Sequence, residues 1–516
     1  MSEAPRPLLV VRDLTVVAGG RRLLGPSSFT LHEGERALLV GSSGSGKSLF
    51  VDLLLGFAGP DSRGLEVSGS IALDGEEMLG REGGAGTSGV GAVFQVHAPG
   101  LFDDLSVAEN LRFGSPDESE VGATANQLGI EPIERRAVDC SGGERVRVVL
   151  GRTLLAGSEV LICDEPTSGL DAGSIVPVVE AIRASHRRLT LVVTHDYEAF
   201  SEFPDRILFL DPVRREIRPI EPVSEALVEV RDALSASAPP PPTVPPRATS
   251  FRERLRAGWL HRAERATETL GDALSALAAP WAWTRLAHRL DGPRVRRALR
   301  RHLAPGVAAF VGTSAILVAL TATYFLFERL PQREYAEPLF LDDLLAGLGL
   351  ILVRVAVPLL VSVLLAAKLG ASTAAHLGHM SLTRQVDALR LLGVPLRRHL
   401  LLPAAAGQLA ASWLHTALAL VLAFITSLVV FLWDHPGWSS LYFRDAWLSE
   451  LEPSDLLWLA AKVGASAIAV AAVAFRAGIE PKRAPGSVVD GIHATLLRGL
   501  LVVLLIHAVF AFLEFT

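Results

Sequence analysis

A glycine-rich stretch near the N-terminus has the composition of a phosphate-binding loop. It reads Gly41-Ser-Ser-Gly-Ser-Gly-Lys47-Ser48, follows an apolar run at residues 37–40 and precedes an apolar helical pattern. Glycines let backbone N–H groups face phosphate oxygens, the lysine neutralises the outer phosphates, and the hydroxyl after it ligates magnesium. We therefore predict that this loop binds the phosphates of a nucleotide. The predicted contacts are Gly41, Ser42, Gly44, Ser45, Gly46, Lys47 and Ser48, the last also as a Mg2+ ligand.

Two adjacent carboxylates follow a second apolar run. The segment Leu161-Ile-Cys-Asp164-Glu165 has the composition of a buried strand that ends in acidic side chains. Near a phosphate loop, one carboxylate can hold magnesium and the next can polarise the water that attacks the outer phosphate. We assign the first role to Asp164 and the second to Glu165, so the two motifs together predict nucleotide hydrolysis.

The elements that must position these residues have an α/β pattern. Residues 1–232 alternate short β-branched runs with longer helical stretches, which predicts a mainly parallel sheet. Residues 233–250 are rich in proline and predict a stiff linker at a domain boundary.

Residues 251–303 place tryptophan and leucine among many arginines. This pattern predicts amphipathic helices that lie on the membrane surface against anionic headgroups. The alternative is a helical element that packs on the ATPase. We expect no nucleic-acid partner, because proximity to the membrane already accounts for the basic run.

Residues 304–516 carry most of the apolar excess of a chain that is 50% hydrophobic. Five segments approach or exceed the ~20 residues that a helix needs to cross a bilayer. They are residues 306–327, 341–367, 404–433, 456–475 and 488–512. This half is therefore predicted to be an all-α, multi-pass membrane domain.

The loops between these segments differ in charge. One set carries Lys368, Arg384, Arg390, Arg397, Arg398, Arg476, Lys482 and Arg483, whereas the opposite loops carry mostly acids. Basic loops remain in the cytoplasm. We therefore expect a cytoplasmic N-terminal half and a C-terminus on the far side of the membrane.

Further motifs stand in a recognisable order around the acid pair. Ser141-Gly142-Gly143-Glu144-Arg145 precedes it, Ser168-Gly-Leu-Asp171 follows it, Gln95 follows one apolar run and His195 ends another. From residue 8 to about residue 225 the chain resembles the ATPases of ABC transporters. That resemblance implies the cofactors ATP and Mg2+. It also implies an α/β P-loop ABC ATPase domain followed by the membrane domain of about five helices.

The resemblance also implies roles for the remaining motif residues. The catalytic residues would be Glu165, His195 and Gln95, the metal ligands Ser48, Gln95 and Asp164, and the further nucleotide contacts Ser141, Gly142, Gly143 and Asp171. The serine and glycines of the signature motif would close on ATP held by a partner subunit. A homodimer with two composite ATP sites follows. Many family members stack an aromatic on adenine near the position of Ala18, where this chain has none.

The segment between the second and third apolar stretches carries a second resemblance. It reads Ala367-Lys-Leu-Gly370-Ala-Ser-Thr-Ala-Ala-His376-Leu-Gly378-His-Met380-Ser-Leu-Thr-Arg384-Gln385-Val-Asp387-Ala388-Leu389-Arg-Leu-Leu-Gly393. This resembles the cytoplasmic loop of MlaE-type permeases, the membrane subunits of lipid transporters linked to MCE-domain proteins. The similarity continues through Arg398, Leu400 and Pro403.

A polar helical segment in this position is suited to dock on the ATPase and to transmit its closure. The alternative is an ordinary polar loop without a coupling role. Arg384 stands where the family usually has an acid, so we expect an acidic partner for it on the ATPase. The candidates are Asp103, Asp104 and Glu109.

Together the resemblances imply an ATP-driven transporter of lipid, by default phospholipid, in the inner membrane. ATPase and permease would form a fused half-transporter that homodimerises and works with a periplasmic MCE-domain protein, expected to be hexameric. Exposing two chains of about sixteen carbons to water at ~0.8 kcal/mol per methylene would cost over ~20 kcal/mol, which favours a shielded route. The alternatives are an ABCG-like exporter of hydrophobic compounds and a mechanotransmitting complex that moves no substrate.

Three basic residues fall within different apolar segments, namely Arg354, Lys462 and Arg498. If they converge, they could hold a lipid phosphate. The alternative is that they reach separately for the headgroups or pair with Asp490.

Overall fold

The computed structural model describes residues 5–42, 44–60, 65–80, 89–94, 100–103, 105–170, 172–195, 197–220, 292–328, 333–482 and 485–515. They form two compact units. One comprises the N-terminal part together with the segment Met380–Pro395, and the other comprises the helices before and after that segment. The predicted linker at 233–250 and the amphipathic stretch up to residue 291 lie outside the described residues.

Two sheets organise the first unit. An antiparallel sheet has the order β2-β1-β4-β5 and contains β1 (Pro7–Ala18), β2 (Arg21–His32), β4 (Leu65–Leu73) and β5 (Glu76–Glu77). A six-stranded sheet has the order β10-β9-β3-β8-β7-β6. Its strands are β3 (Arg36–Val40), β6 (Val90–Val93), β7 (Val160–Asp164), β8 (Leu189–Thr194), β9 (Arg206–Leu210) and β10 (Ile217–Ile220).

The six-stranded sheet is parallel from β9 to β6, with β10 antiparallel at one edge. Every residue of β7 and β8 is buried, which accounts for their continuous apolar runs. Because β3, β8 and β7 are neighbours, the residues that follow their carboxyl ends meet at one edge of the sheet. The predicted α/β fold with a mainly parallel sheet is therefore confirmed.

In the N-terminal part, five α-helices among the described residues accompany these sheets. They are α1 (Lys47–Leu54), α2 (Val107–Leu111), α3 (Glu118–Gln127), α4 (Gly142–Leu155) and α5 (Ala172–Ala184). Helix α4 begins at a capping box, in which the Ser141 hydroxyl accepts from the Glu144 N–H and the Glu144 carboxylate accepts from the Ser141 N–H. The signature motif therefore doubles as a helix start.

The second unit is helical. Its helices, together with those of the intervening segment, are α6 (Gly292–His302), α7 (Pro305–Glu328), α8 (Arg333–Leu350), α9 (Val357–Leu365), α10 (Ala371–Leu382), α11 (Gln385–Leu391), α12 (Leu402–Asp434), α13 (Ser440–Leu448), α14 (Pro453–Ile479) and α15 (Pro485–Phe515). Three π-helical segments interrupt them, at Ile351–Ala356, Ala366–Gly370 and Arg397–Leu401.

Five helical stretches of the described residues are long and apolar enough to cross a membrane, as predicted. They are Pro305–Glu328, Phe340–Leu382, Arg397–Asp434, Pro453–Ile479 and Pro485–Glu514. The second differs from its predicted bounds, because helical structure continues past Ala367 to Leu382. Its 43 residues would span ~65 Å, about twice the ~30 Å of a hydrocarbon core. Part of this stretch therefore extends beyond the bilayer.

Two basic side chains inside the second unit pair with carboxylates. Arg354 Nε lies 2.7 Å from Asp455 Oδ1, and Lys462 Nζ lies 2.6 Å from Glu514 Oε2. Lys462 also donates to the backbone carbonyl of Arg354 at 2.5 Å, so the two residues touch through that carbonyl while their cationic groups pair with different carboxylates. Arg498 does not join them, because it precedes Glu514 by sixteen residues of α15, ~24 Å along the axis.

The Lys462–Glu514 pair generates a prediction about stability. Both side chains are almost completely buried, with 3% and 2% exposed, so removing one leaves the other unpaired in a low-dielectric interior. We expect Lys462→Met to lower the thermal unfolding midpoint in detergent, with a cost of about 3–5 kcal/mol. The double variant Lys462→Met/Glu514→Leu should recover most of that loss. A double variant as unstable as the single one would contradict this account.

Candidate active site

The phosphate loop closes around its own lysine. Gly44 and Gly46 have φ values of 74° and 118°, which glycine adopts more readily than residues with a Cβ atom. Lys47 Nζ donates to the carbonyl oxygens of Gly41 at 2.8 Å and Ser42 at 3.2 Å. The backbone that follows β3 therefore holds the ammonium at the start of α1, in the position predicted for phosphate binding.

The carboxylate of Glu165 lies at the centre of the site. Its Oε1 is 3.4 Å from Lys47 Nζ, and its Oε2 is 2.7 Å from His195 Nδ1. The Thr194 hydroxyl donates to the same Oε2 at 3.3 Å. The structure thus brings Lys47, Glu165 and His195 together as the sequence motifs predicted. Thr194 was missed, because its hydroxyl belongs to a buried strand of mostly apolar residues.

Glu165 has a strained backbone. Its φ of 51° is in the left-handed region, which a residue with a side chain rarely occupies. Its N–H donates to the Val193 carbonyl at 2.7 Å, so the neighbouring strand holds this conformation in place. Strain of this kind is common where a functional side chain must have a fixed direction. Here the direction is towards Lys47 and His195.

Asp164 has the environment of a metal ligand. Burial raises the pKa of this carboxyl to about 6, although a hydrogen bond from Ser48 acts in the opposite direction. Its Oδ1 is buried without a hydrogen-bond partner among the described residues. An unsatisfied carboxylate oxygen beside a hydroxyl fits Mg2+, which prefers oxygen ligands and shares its shell with nucleotide phosphates. No group of three or more His, Cys, Asp or Glu side chains that could hold a metal occurs in the described part of the chain.

The signature motif makes its contacts away from the phosphate loop. The side chain of Ser141 hydrogen-bonds to Glu144, and a Cβ on the buried Gly143 would lie 3.0 Å from Ser174 Oγ. No hydrogen bond or ion pair between described residues joins the motif to the loop of Lys47. Gln95 and Asp171 lie outside the described residues, and their roles stay predictions.

An ion pair connects the ATP-site helix to the segment that joins the second and third membrane stretches. The Arg384 guanidinium contacts Asp52 through both nitrogen–oxygen pairs, at 2.5 and 3.0 Å. It also lies over the Phe94 ring, 5.1 Å from the centroid. Asp52 is four residues after Ser48 in α1, so the two side chains are on the same face of that helix.

The backbone of the segment adds further contacts. Arg384 has a φ of 54° and caps the start of α11. The Gly100 N–H donates to the Thr383 carbonyl at 3.1 Å, and a Cβ on Gly100 would come within 3.0 Å of Ala388 Cβ. Within this compact unit, the segment therefore packs on the loop that follows β6. The expected docking on the ATPase is what the structure shows.

The expected acidic partner of Arg384 was the right type of residue but the wrong position. Asp103 pairs with Arg145, and Glu109 forms the capping box of α2 with Ser106. Asp104 lies outside the described residues. The partner is Asp52, for which the signal was an isolated acid one turn after Ser48 in an apolar helix.

Two family profiles match the chain. The profile described as ABC transporter matches residues 24–168, and the one described as Permease MlaE matches residues 307–513.

Individual relatives match over part of their length. Protein TRIGALACTOSYLDIACYLGLYCEROL 3, chloroplastic, of Arabidopsis thaliana is 32% identical over 234 residues, covering 39% of this chain and 66% of that protein. The maltose/maltodextrin import ATP-binding protein MalK of Escherichia coli K12 is 35% identical over 196 residues, covering 36% and 50%. The chain thus spans about half to two thirds of these two relatives. A solved ATP-binding cassette of an ABC transporter in its ADP conformation is 20% identical, with 45% and 99% coverage and a TM-score of 0.38.

The raised pKa of Asp164 predicts how metal binding depends on pH. A proton occupies this carboxyl below about pH 6 in the folded protein, and Mg2+ must displace that proton. Affinity for Mg2+ in the presence of ATP should therefore fall as the pH drops below about 6, and more Mg2+ should move the fall to lower pH. Calorimetric titration between pH 5 and 8 measures it. Asp164→Asn should bind weakly at every pH, and an equally steep pH dependence in that variant would contradict the assignment.

The Arg384–Asp52 pair predicts the outcome of exchanging its charges. Asp52→Arg and Arg384→Asp each place like charges in contact, so each should lower ATP hydrolysis by the full chain about tenfold or more. The double variant restores opposite charges and should recover a substantial part of the activity. Steady-state phosphate release in lipid nanodiscs provides the measurement.

A matched control for this exchange is the exposed pair Arg36–Asp205, whose reversal should leave hydrolysis near the wild-type rate. If the two single variants and the double variant all hydrolyse ATP at the same rate, the ion pair has no role in hydrolysis.

Proposed function

Because one polypeptide joins an ABC transporter ATPase domain to an MlaE permease domain, we propose that this protein is an ATP-driven lipid transporter. The observation that carries the proposal is the Arg384–Asp52 ion pair. It connects the segment between the second and third membrane stretches to the helix that begins at the phosphate loop. A change at the ATP site then has a direct route to the membrane helices.

The described residues support a mechanism for hydrolysis. ATP phosphates bound by the loop would draw Lys47 towards them, which frees Glu165 Oε1 from its present contact at 3.4 Å. Glu165 can then accept a proton from the attacking water, while His195 and Thr194 hold its other oxygen. Ser48 and Asp164 would hold Mg2+, which neutralises charge on the β and γ phosphates.

A complete site requires a second copy of the chain. The signature residues Ser141, Gly142 and Gly143 lie at the start of α4, where the N–H groups of the two glycines can bind an anion. In our proposal they close on the γ-phosphate held by the other subunit. Gln95 would ligate Mg2+ and sense the membrane domain, and Asp171 would contact the nucleotide. The functional unit is then a homodimer with two ATP sites and two permease domains.

Lipid is the proposed cargo. The MlaE profile covers the helical half of the chain, and one ATPase relative is named after a lipid, trigalactosyldiacylglycerol. Moving an acyl chain into water costs ~0.8 kcal/mol of free energy per methylene. We therefore propose that a periplasmic MCE-domain protein receives the lipid. The proposed location is the inner membrane, with the ATPase domain in the cytoplasm and the C-terminus in the periplasm.

A transfer assay tests this function. The full chain is reconstituted in proteoliposomes with a fluorescent phospholipid, and the measurement is ATP-dependent loss of that lipid to an acceptor. Glu165→Gln is the control, because it should bind ATP yet hydrolyse it at least about a hundredfold more slowly. Transfer by the wild type alone supports the proposal. ATP hydrolysis without transfer, together with a co-purifying periplasmic hydrolase, would instead favour a mechanotransmitting complex.

A further inference from the structure

Arg498 differs from the two other basic residues deep in the membrane stretches. Arg354 and Lys462 each have a carboxylate partner, Asp455 and Glu514 respectively. Arg498 is half-buried and has no hydrogen-bond or ion-pair partner within the described part of the chain. A carboxylate therefore accompanies each of the two paired cations, whereas none accompanies Arg498 within the described residues.

The position of Arg498 in α15 places it far from either membrane surface. The helix has 31 residues and a length of ~46 Å, about 16 Å more than a hydrocarbon core. Arg498 is thirteen residues, ~20 Å, after Pro485. If the excess is shared between the two ends, Arg498 lies ~12 Å inside the hydrocarbon boundary. An arginine side chain cannot extend that far, so a local anion is needed.

The carboxylates within α14 and α15 of a second copy are not suitable sources of that anion. Asp455 and Glu514 are engaged by Arg354 and Lys462. Asp490 precedes Arg498 by eight residues, ~12 Å along α15. Copies related by a two-fold axis along the membrane normal keep their residues at equal depth, so the Asp490 of another copy would also be ~12 Å away in depth.

The surroundings of Arg498 suit an amphipathic ligand. Leu497 and Leu501, which flank it on the surface of α15, are 73% and 59% exposed. Val502 and Val503, which lie on the other side of Arg498 around the helix, are packed in the interior. An anionic group at the guanidinium would therefore have apolar surface beside it for acyl chains.

We propose that Arg498 binds the phosphate of the transported lipid, an inference that rests on the proposed transport function. The guanidinium presents paired N–H groups that match two phosphate oxygens, and such charge-assisted contacts are strongest where water is excluded. The substrate class is then a phosphate-bearing lipid and not a neutral glycerolipid. Arg354 and Lys462 have a different role, as members of a closed charge network.

Native mass spectrometry of the full chain, carried out in the absence of nucleotide, tests lipid binding at this site. Detergent-purified protein is incubated with equal amounts of phosphatidic acid and of diacylglycerol with the same acyl chains, which differ only in the phosphate. The wild type should retain phosphatidic acid over diacylglycerol by about tenfold or more. Arg498→Gln should bring the ratio close to one, and Arg498→Lys should give an intermediate ratio.

Two comparisons separate a binding role from a structural one. Arg300→Gln, which removes an exposed arginine of α6, should keep the wild-type ratio. Lipid-free Arg498→Gln should unfold at the same or a higher temperature than the wild type, because an unpaired charge has left the membrane interior. If Arg498→Gln does not fold, the ratio of bound phosphatidic acid to diacylglycerol in Arg498→Lys, which should be lower than in the wild type, tests the proposal instead.

Three outcomes would overturn the proposal. They are an unchanged lipid ratio in Arg498→Gln, an unchanged ratio in a folded Arg498→Lys when the glutamine variant fails to fold, and displacement of phosphatidic acid by millimolar inorganic phosphate. The last would indicate a site for free phosphate. Failure of this inference is distinguishable from failure of the proposed function. If the wild type transfers lipid but Arg498→Gln retains the wild-type lipid ratio, only the inference is refuted. A wild type that neither binds nor transfers lipid refutes both.

Discussion

The ion pair between Asp52 and Arg384 joins the helix of the ATP site to the segment between the second and third membrane stretches. Asp52 is one turn after Ser48 in α1, so any shift of this helix during phosphate binding also moves the carboxylate that holds Arg384. The guanidinium is anchored on both sides, by two carboxylate oxygens and by the face of Phe94. A bidentate contact transmits direction as well as distance, which a single flexible lysine contact would not do.

Polar contacts also stabilise the membrane half, because a charge removed from water needs a partner. Lys462 and Glu514 satisfy each other, and Lys462 also satisfies a carbonyl of the π-helical segment that contains Arg354. A π-helical turn leaves backbone groups in irregular positions, and the ammonium provides a donor for one of them. Three helical elements are thus fixed to each other by polar contacts, in a region where apolar packing alone offers little directional preference.

The sequence predicted most of the ATP site because its chemistry depends on short, contiguous motifs. Lys47, Glu165 and His195 follow three strands whose buried apolar runs are visible in the sequence, and a parallel sheet necessarily gathers the ends of neighbouring strands. The family profiles confirm the predicted fusion of ATPase and permease. Asp52 could not be predicted in the same way, because it acquires a role only when a segment more than three hundred residues later packs against α1. The candidates near residue 103 were reasonable by charge, but local caps and ion pairs already engage them.

The small size of the docking segment is an argument for the fusion itself. Helix α11 has seven residues, and the described contacts of its segment with the ATPase include one ion pair, an arginine–ring contact, one backbone hydrogen bond and a close approach at Gly100. A segment of this length needs little affinity of its own when it belongs to the same polypeptide as the ATPase domain. A covalent connection raises the effective concentration of the segment into the millimolar range, so weak docking is sufficient. Weak docking also leaves the contact free to rearrange during each ATP cycle, whereas a tight interface would resist the movement that transport requires.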